Sequence, residues 1–130
     1  MQITTYAITR TVDASYDETI ERVTAALARE GFGVLTTIDV KATMKTKLDL
    51  DIEPYVILGA CNPKLASRGL AIEPDLGVLL PCNVVVRRDG QQTIVAAMEP
   101  LAAMHLAGNP DLEPLATEAR ERVERAVTSL

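Results

Sequence analysis

Apolar and polar residues alternate between residues 3 and 12, with Tyr6, Ile8 and Val12 on one side and Thr5, Ala7, Thr9 and Thr11 on the other. This period of two predicts a half-buried strand. The period then lengthens, because Tyr16, Ile20, Val23 and Leu27 recur at helical spacing until Gly31, and an amphipathic helix is expected there. Ser15-Tyr16-Asp17-Glu18 marks its start as a capping box, in which the Ser15 hydroxyl accepts from the Glu18 amide and the Glu18 carboxylate reaches back. Phe32 to Val40 alternates again, with Phe32, Val34, Thr36 and Ile38 against Gly33, Leu35 and Thr37, and predicts a second strand. Asp39 can cap a short helix over residues 40 to 50, with Val40, Met44 and Leu48 as its buried stripe and Pro54 as its stop.

Tyr55 to Cys61 is an unbroken apolar run between Pro54 and Asn62-Pro63, the pattern of a central strand covered on both faces. Asn62 as N-cap and Pro63 as first helical residue open a helix to about Ile72, which Gly69 weakens and Pro74 closes. Leu76 to Val86 is a second apolar stretch, and Pro81 within it removes a ladder donor, so a bulge or an edge position is expected. Arg88-Asp89-Gly90-Gln91 carries a hairpin turn that returns Thr93 to Met98 against Val84 to Arg88. Pro100 to Glu113 reads as a mobile or interface-forming loop. From Pro114 onward, Leu115, Ala119, Val123, Val127 and Leu130 give a last amphipathic helix. The whole predicts an α+β fold: an antiparallel sheet of about five strands backed by helices, in β-α-β-(short α)-β-α-β-β-α order.

Composition bounds this picture. Residues 1–130 suffice for a single α+β domain with a real core, and with only Tyr6, Tyr16, Phe32 and Tyr55 carrying rings, that core must be aliphatic. A net charge of −5 argues against nucleic acid or an anionic membrane as partner, since both demand clustered cations. No secretory signal or membrane span is read from the sequence, so a cytoplasmic location and reduced thiols at Cys61 and Cys82 are expected.

Candidate chemistry centres on those thiols. Asn62-Pro63 would set Cys61 just before a helix start, where free amides favour a thiolate. Cys82, beside Pro81, can be re-aimed toward a cleft. If their strands are neighbours, the two sulfurs form a dithiol or a two-coordinate soft-metal site, although free cysteine often serves simply as a small buried hydrophobe. Asn62 and Asn83 each follow a cysteine; Asn62 has a capping role, whereas Asn83 within a β-rich run needs a partner and suggests a pocket lined by Cys61, Asn62, Cys82 and Asn83. His105 is the only histidine, and no nucleophile can be placed beside it. Lys41, Lys45, Lys47, Lys64 and Arg68 could meet an anion, or simply form a solvated face. Met44, Met98 and Met104 read as core filler. Zinc spacings, phosphate loops and Gly-x-Ser-x-Gly are all missing.

Read in order, Gly59-Ala60-Cys61-Asn62-Pro63 and Leu79-Leu80-Pro81-Cys82-Asn83-Val84 resemble the family known as domain of unknown function 302. The likeness runs end to end through the strand-helix start, the segment from Phe32-Gly33-Val34 to Asp39-Val40, and the short helix ending near Leu48. It implies an α+β fold of antiparallel sheet backed by helices, and self-association as a homodimer. No reaction is implied.

Three functional classes are compatible with these residues. One is a dimeric binding module that holds a small ligand or soft metal near Cys61 and Cys82. Another is a thiol-based enzyme or carrier, with Cys61 as nucleophile and Cys82 as resolving thiol. The last is an interaction protein without a ligand. The first two require both sulfurs to meet at one solvent-reachable hollow.

Overall fold

Alternation along the strands sorts their side chains onto two faces of one sheet. In a computed structural model describing all residues from Met1 to Leu130, the strands are β1 (Gln2–Ile3), β2 (Ala7–Val12), β3 (Gly33–Asp39), β4 (Tyr55–Cys61), β5 (Cys82–Asp89) and β6 (Gln92–Met98). The helices are α1 (Tyr16–Arg29), α2 (Val40–Leu48), α3 (Pro63–Ile72), α4 (Pro100–His105) and α5 (Glu113–Thr128), with 3₁₀ segments at Pro74–Leu79 and Pro110–Leu112. Every strand pair is antiparallel, in the spatial order β1-β2-β6-β5-β4-β3. The α+β class is therefore as expected, with six strands in place of about five. No helix is long and apolar enough to cross a membrane.

One face of the sheet carries the main core. Ile8 and Val12 of β2, Val95 and Ala97 of β6, Val84 and Val86 of β5, and Val56, Leu58 and Ala60 of β4 are all buried there. They pack against Val23, Ala26 and Leu27 of α1 and Val123, Ala126 and Val127 of α5. Arg10, on the same face, donates to the Val127 and Thr128 carbonyls, so a cation closes the negative end of α5. The alternate positions, among them Tyr55, Ile57, Val85, Arg87, Ile94 and Ala96, are half-buried on the opposite face.

Helix starts follow the sequence closely. Ser15 Oγ accepts from the Glu18 amide at 3.1 Å, but the reciprocal half of the capping box is not made, because Glu18 pairs with Arg22 at 3.0 Å instead. Asp39 caps α2 through the Ala42 amide at 2.9 Å, and Asn62 caps α3 through the Leu65 amide at 3.2 Å. The β5–β6 hairpin has the expected register, with Val84 opposite Ala97 and Arg88 opposite Thr93.

Elsewhere the structure corrects the expectations. The first strand is split, since Thr4 donates its amide to the Ala7 carbonyl at 2.7 Å and accepts the Ala7 amide on its hydroxyl at 3.1 Å. This local bonding competes with the ladder, folds β1 back on β2, and leaves Tyr6 74% exposed. Helix α2 buries no residue, and Leu48 is 68% exposed, because α2 touches the sheet chiefly at β4 and has nothing to cover its tip. It stops at Asp49, in the left-handed region at φ 51°, well before Pro54. β4 is paired on both sides but fully covered on only one face. Leu76 to Leu79 form a 3₁₀ turn, and β5 begins immediately after Pro81, where the first available amide can join the ladder. Pro100 to Glu113 is no loop: Glu99 accepts from the Leu101 and Ala102 amides at 3.3 and 2.7 Å and launches α4.

Candidate functional site

Short elements build a second apolar cluster beside the first. Leu65 of α3, Leu76 of the 3₁₀ segment, Met104 of α4, Leu112, and Leu115 and Ala116 of α5 form it. Its facing positions are small: Ala66 and Gly69 on α3, Ala116 and Ala119 on α5. A Cβ at Gly69 would stand 2.7 Å from Leu76 Cδ2, so the absence of a side chain lets the 3₁₀ turn lie directly on α3.

Between this cluster and the end of the sheet lies a hollow of about 50 Å³, lined by Cys61 and Cys82 among other residues. One buried water needs roughly 10–15 Å³ on the same measure, so a few water-sized groups fit. Thirteen of the 16 lining residues are hydrophobic, the two cysteines among them, and the other three are Asn62, Gly69 and Pro100, so nothing charged borders the space. Asn62 is buried and already engaged at both ends of its amide. Its oxygen accepts from the Leu65 amide, and its nitrogen donates to the Glu30 carbonyl at 3.4 Å. That bridge ties the end of α1 to the start of α3.

Cys61 and Cys82 are unpaired by disulfide, and neither is sealed from solvent. Cys82 opposes Ala60, the neighbour of Cys61, across the β4–β5 ladder. Burial, with a smaller contribution from Cys61, pushes the Cys82 thiol up to about 11. Cys82 therefore stays protonated at neutral pH.

The other sequence candidates lie elsewhere. Asn83 is exposed and does not line the hollow, because successive strand residues point to opposite faces and Cys82 takes the inner one. Its need for a buried partner disappears with that placement. His105 is exposed at the end of α4, over a separate depression shared with Asn109 and Glu113. Lys41, Lys45 and Lys47 lie on exposed α2, where Lys45 pairs with Asp49 and Asp51 at 2.8 and 3.4 Å. Lys64 and Arg68 are exposed on α3. Met44, Met98 and Met104 belong to α2, β6 and α4 and do not meet, but Met104 lines the hollow. No group of three or more His, Cys, Asp or Glu side chains is assembled for a metal.

Sequence reasoning missed Glu99, which is buried, caps α4 and pairs with Arg120 of α5 at 3.1 Å. The signal was Glu99-Pro100, an acceptor directly before a residue suited to the first helical position. It also missed the small residues of α3 and α5, whose effect depends on how the two helices face each other.

Residues 8–130 match the family described as Domain of unknown function DUF302. The chain belongs to that family. A crystal structure of an uncharacterized conserved DUF302 protein from Bacillus stearothermophilus has the same fold, with a TM-score of 0.87 and 32% sequence identity. The match covers 94% of this chain and 95% of that one. No curated protein matches. The resemblance carried by the two cysteine segments thus extends over nearly the whole fold.

Proposed function

We propose that this chain is a non-catalytic binding module whose hollow beside Cys61 and Cys82 receives a small, neutral, apolar ligand. The observation that carries the reading is the lining: both cysteines border one space in which 13 of 16 residues are hydrophobic. An ion entering it would lose its hydration and gain no counter-charge. Asn62 offers little compensation, because its amide already serves α1 and α3. A soft cation would have to displace the proton that burial holds on Cys82. A hydrocarbon-like group meets none of these costs and gains contact with Leu65, Met104 and Leu115.

Native mass spectrometry of the freshly purified protein, repeated after adding benzene as a probe, tests this. The expected result is a bound neutral mass, either carried from the cell or supplied by the probe. Protein that carries no adduct and takes up no benzene contradicts the reading. Iodoacetamide separates it from thiol chemistry: Cys61 reacting no faster than a peptide thiol fits a binding module, whereas much faster alkylation favours Cys61 as a nucleophile.

A further inference from the structure

Most of the side chains that line the hollow are buried, and its half-buried members, which mark the mouth, are Cys61, Ala66, Leu80, Cys82 and Ala119. Four of these belong to β4, α3, β5 and α5, where ladder or helix hydrogen bonds hold the backbone. Leu80 is the exception, because it follows the 3₁₀ segment Pro74–Leu79 and precedes β5, outside any helix or strand. Only this side chain can leave the mouth without unzipping an element.

The chain on either side of Leu80 is seated on glycines. Upstream, buried Leu76 lies against Gly69 of α3, whose missing Cβ would stand 2.7 Å from Leu76 Cδ2. Glu73 reinforces this root, since its amide donates to the Gly69 carbonyl at 2.8 Å and its carboxylate accepts from Asn109 Nδ2 at 3.2 Å. Downstream, Pro81 lies against Gly59 of β4, where a Cβ would stand 2.8 Å from Pro81 Cγ. Between the two seats the hold is slight. The Leu80 amide donates to the Gly77 carbonyl at 3.2 Å, a bond internal to the segment. Gly77 is exposed, and Val78 is 86% exposed. Leu79 and Leu80 bury themselves only in part against the smaller cluster. A stretch with so few apolar contacts opens locally at little cost while the rest of the fold stays intact.

We propose that residues 77–80 are a flap that swings between the fixed seats of Leu76 and Pro81, with Leu80 as the side chain that shuts the hollow. The inference rests on the reading of the hollow as a binding site and adds how a ligand enters it. With Leu80 in place the apolar lining is continuous. With Leu80 swung out, the mouth widens by one leucine side chain, while both seats and the larger cluster keep their packing. Flap motions of this kind run on microsecond to millisecond timescales, so opening, rather than diffusion, sets the rates of entry and exit.

Benzene exchange, followed by NMR at the Leu65 and Met104 methyls, tests it, with circular dichroism to confirm folding. Leu80→Ala should raise the association rate several-fold, whereas loss of a mere wall contact would change dissociation alone. At Gly77 a Cβ would meet no atom within 4 Å beyond its chain neighbours, so Gly77→Ala stiffens the flap without a clash. It should slow association and dissociation alike and leave Kd unchanged. Gly69→Ala favours helix α3 but crowds Leu76 off its seat, and it should raise the association rate even if Leu80→Ala fails to fold. Association rates equal to wild type in all three variants overturn the flap and leave the hollow standing as a binding site. Benzene taken up by none of the proteins removes the binding reading, and the flap with it.

Discussion

The two apolar clusters of this fold differ in what builds them. The larger has 16 buried residues drawn from long elements, the sheet with α1 and α5, and the gap among its side chains is only about 10 Å³. The smaller has six, assembled from α3, α4, two 3₁₀ turns and the start of α5, and it borders a hollow of about 50 Å³. Strands and long helices present regular rows that interdigitate. Short elements meet at irregular angles, and small residues such as Ala66, Ala116 and Ala119 leave space unfilled. The larger cluster is the more closely filled of the two, and the smaller leaves the space at which we propose that a ligand binds.

Truncation should separate them most strongly. Leu58→Ala, in the larger cluster, is expected to cost about 3–4 kcal/mol, and Leu65→Ala, beside existing space, about 2 kcal/mol, as read from urea denaturation. Equal losses would erase the distinction. Enlargement should act in opposite senses: Ala26→Leu overpacks the larger cluster and costs about 1–3 kcal/mol, while Ala116→Leu, facing the hollow, costs under ~1 kcal/mol and blocks uptake of benzene.

A smaller effect concerns pH. The Cys82 thiol is raised to about 11 in the fold from 9.0. The folded state thus favours the protonated form, and the associated stability is complete below the unfolded pKa. As pH rises from about 9 to about 11, the unfolded chain releases this proton first, and about 2–3 kcal/mol is lost. Cys82→Ser should flatten the stability profile over that window relative to wild type, and an unchanged slope would place Cys82 in a wetter site than described.

Periodicity made most of the fold legible. The Ser15, Asp39 and Asn62 caps and the Asp89-Gly90 hairpin are local in sequence, and each forms as read except that Glu18 turns to Arg22 instead of closing the box at Ser15. What failed depended on neighbours. Nothing in Val40, Met44 and Leu48 tells that α2 finds no cover for its tip, and the 3₁₀ turn through Leu76 follows from the close approach that Gly69 permits. For the site, β4 and β5 are neighbours, the condition on which the pairing of the two sulfurs depended, and Cys61 and Cys82 both line one hollow, but no local pattern foretold that adjacency. Asn83 was misplaced although strand alternation alone could have put it on the other face. The emptiness of the hollow arises from residues distant in sequence, and no local pattern encodes it.

Methyl NMR during a benzene titration addresses the central point most directly. Our account predicts saturable shifts at the Leu65, Met104 and Leu115 methyls, with those of Val23 and Val127 unmoved. A response spread evenly over both clusters, or none at the first three residues, would contradict it.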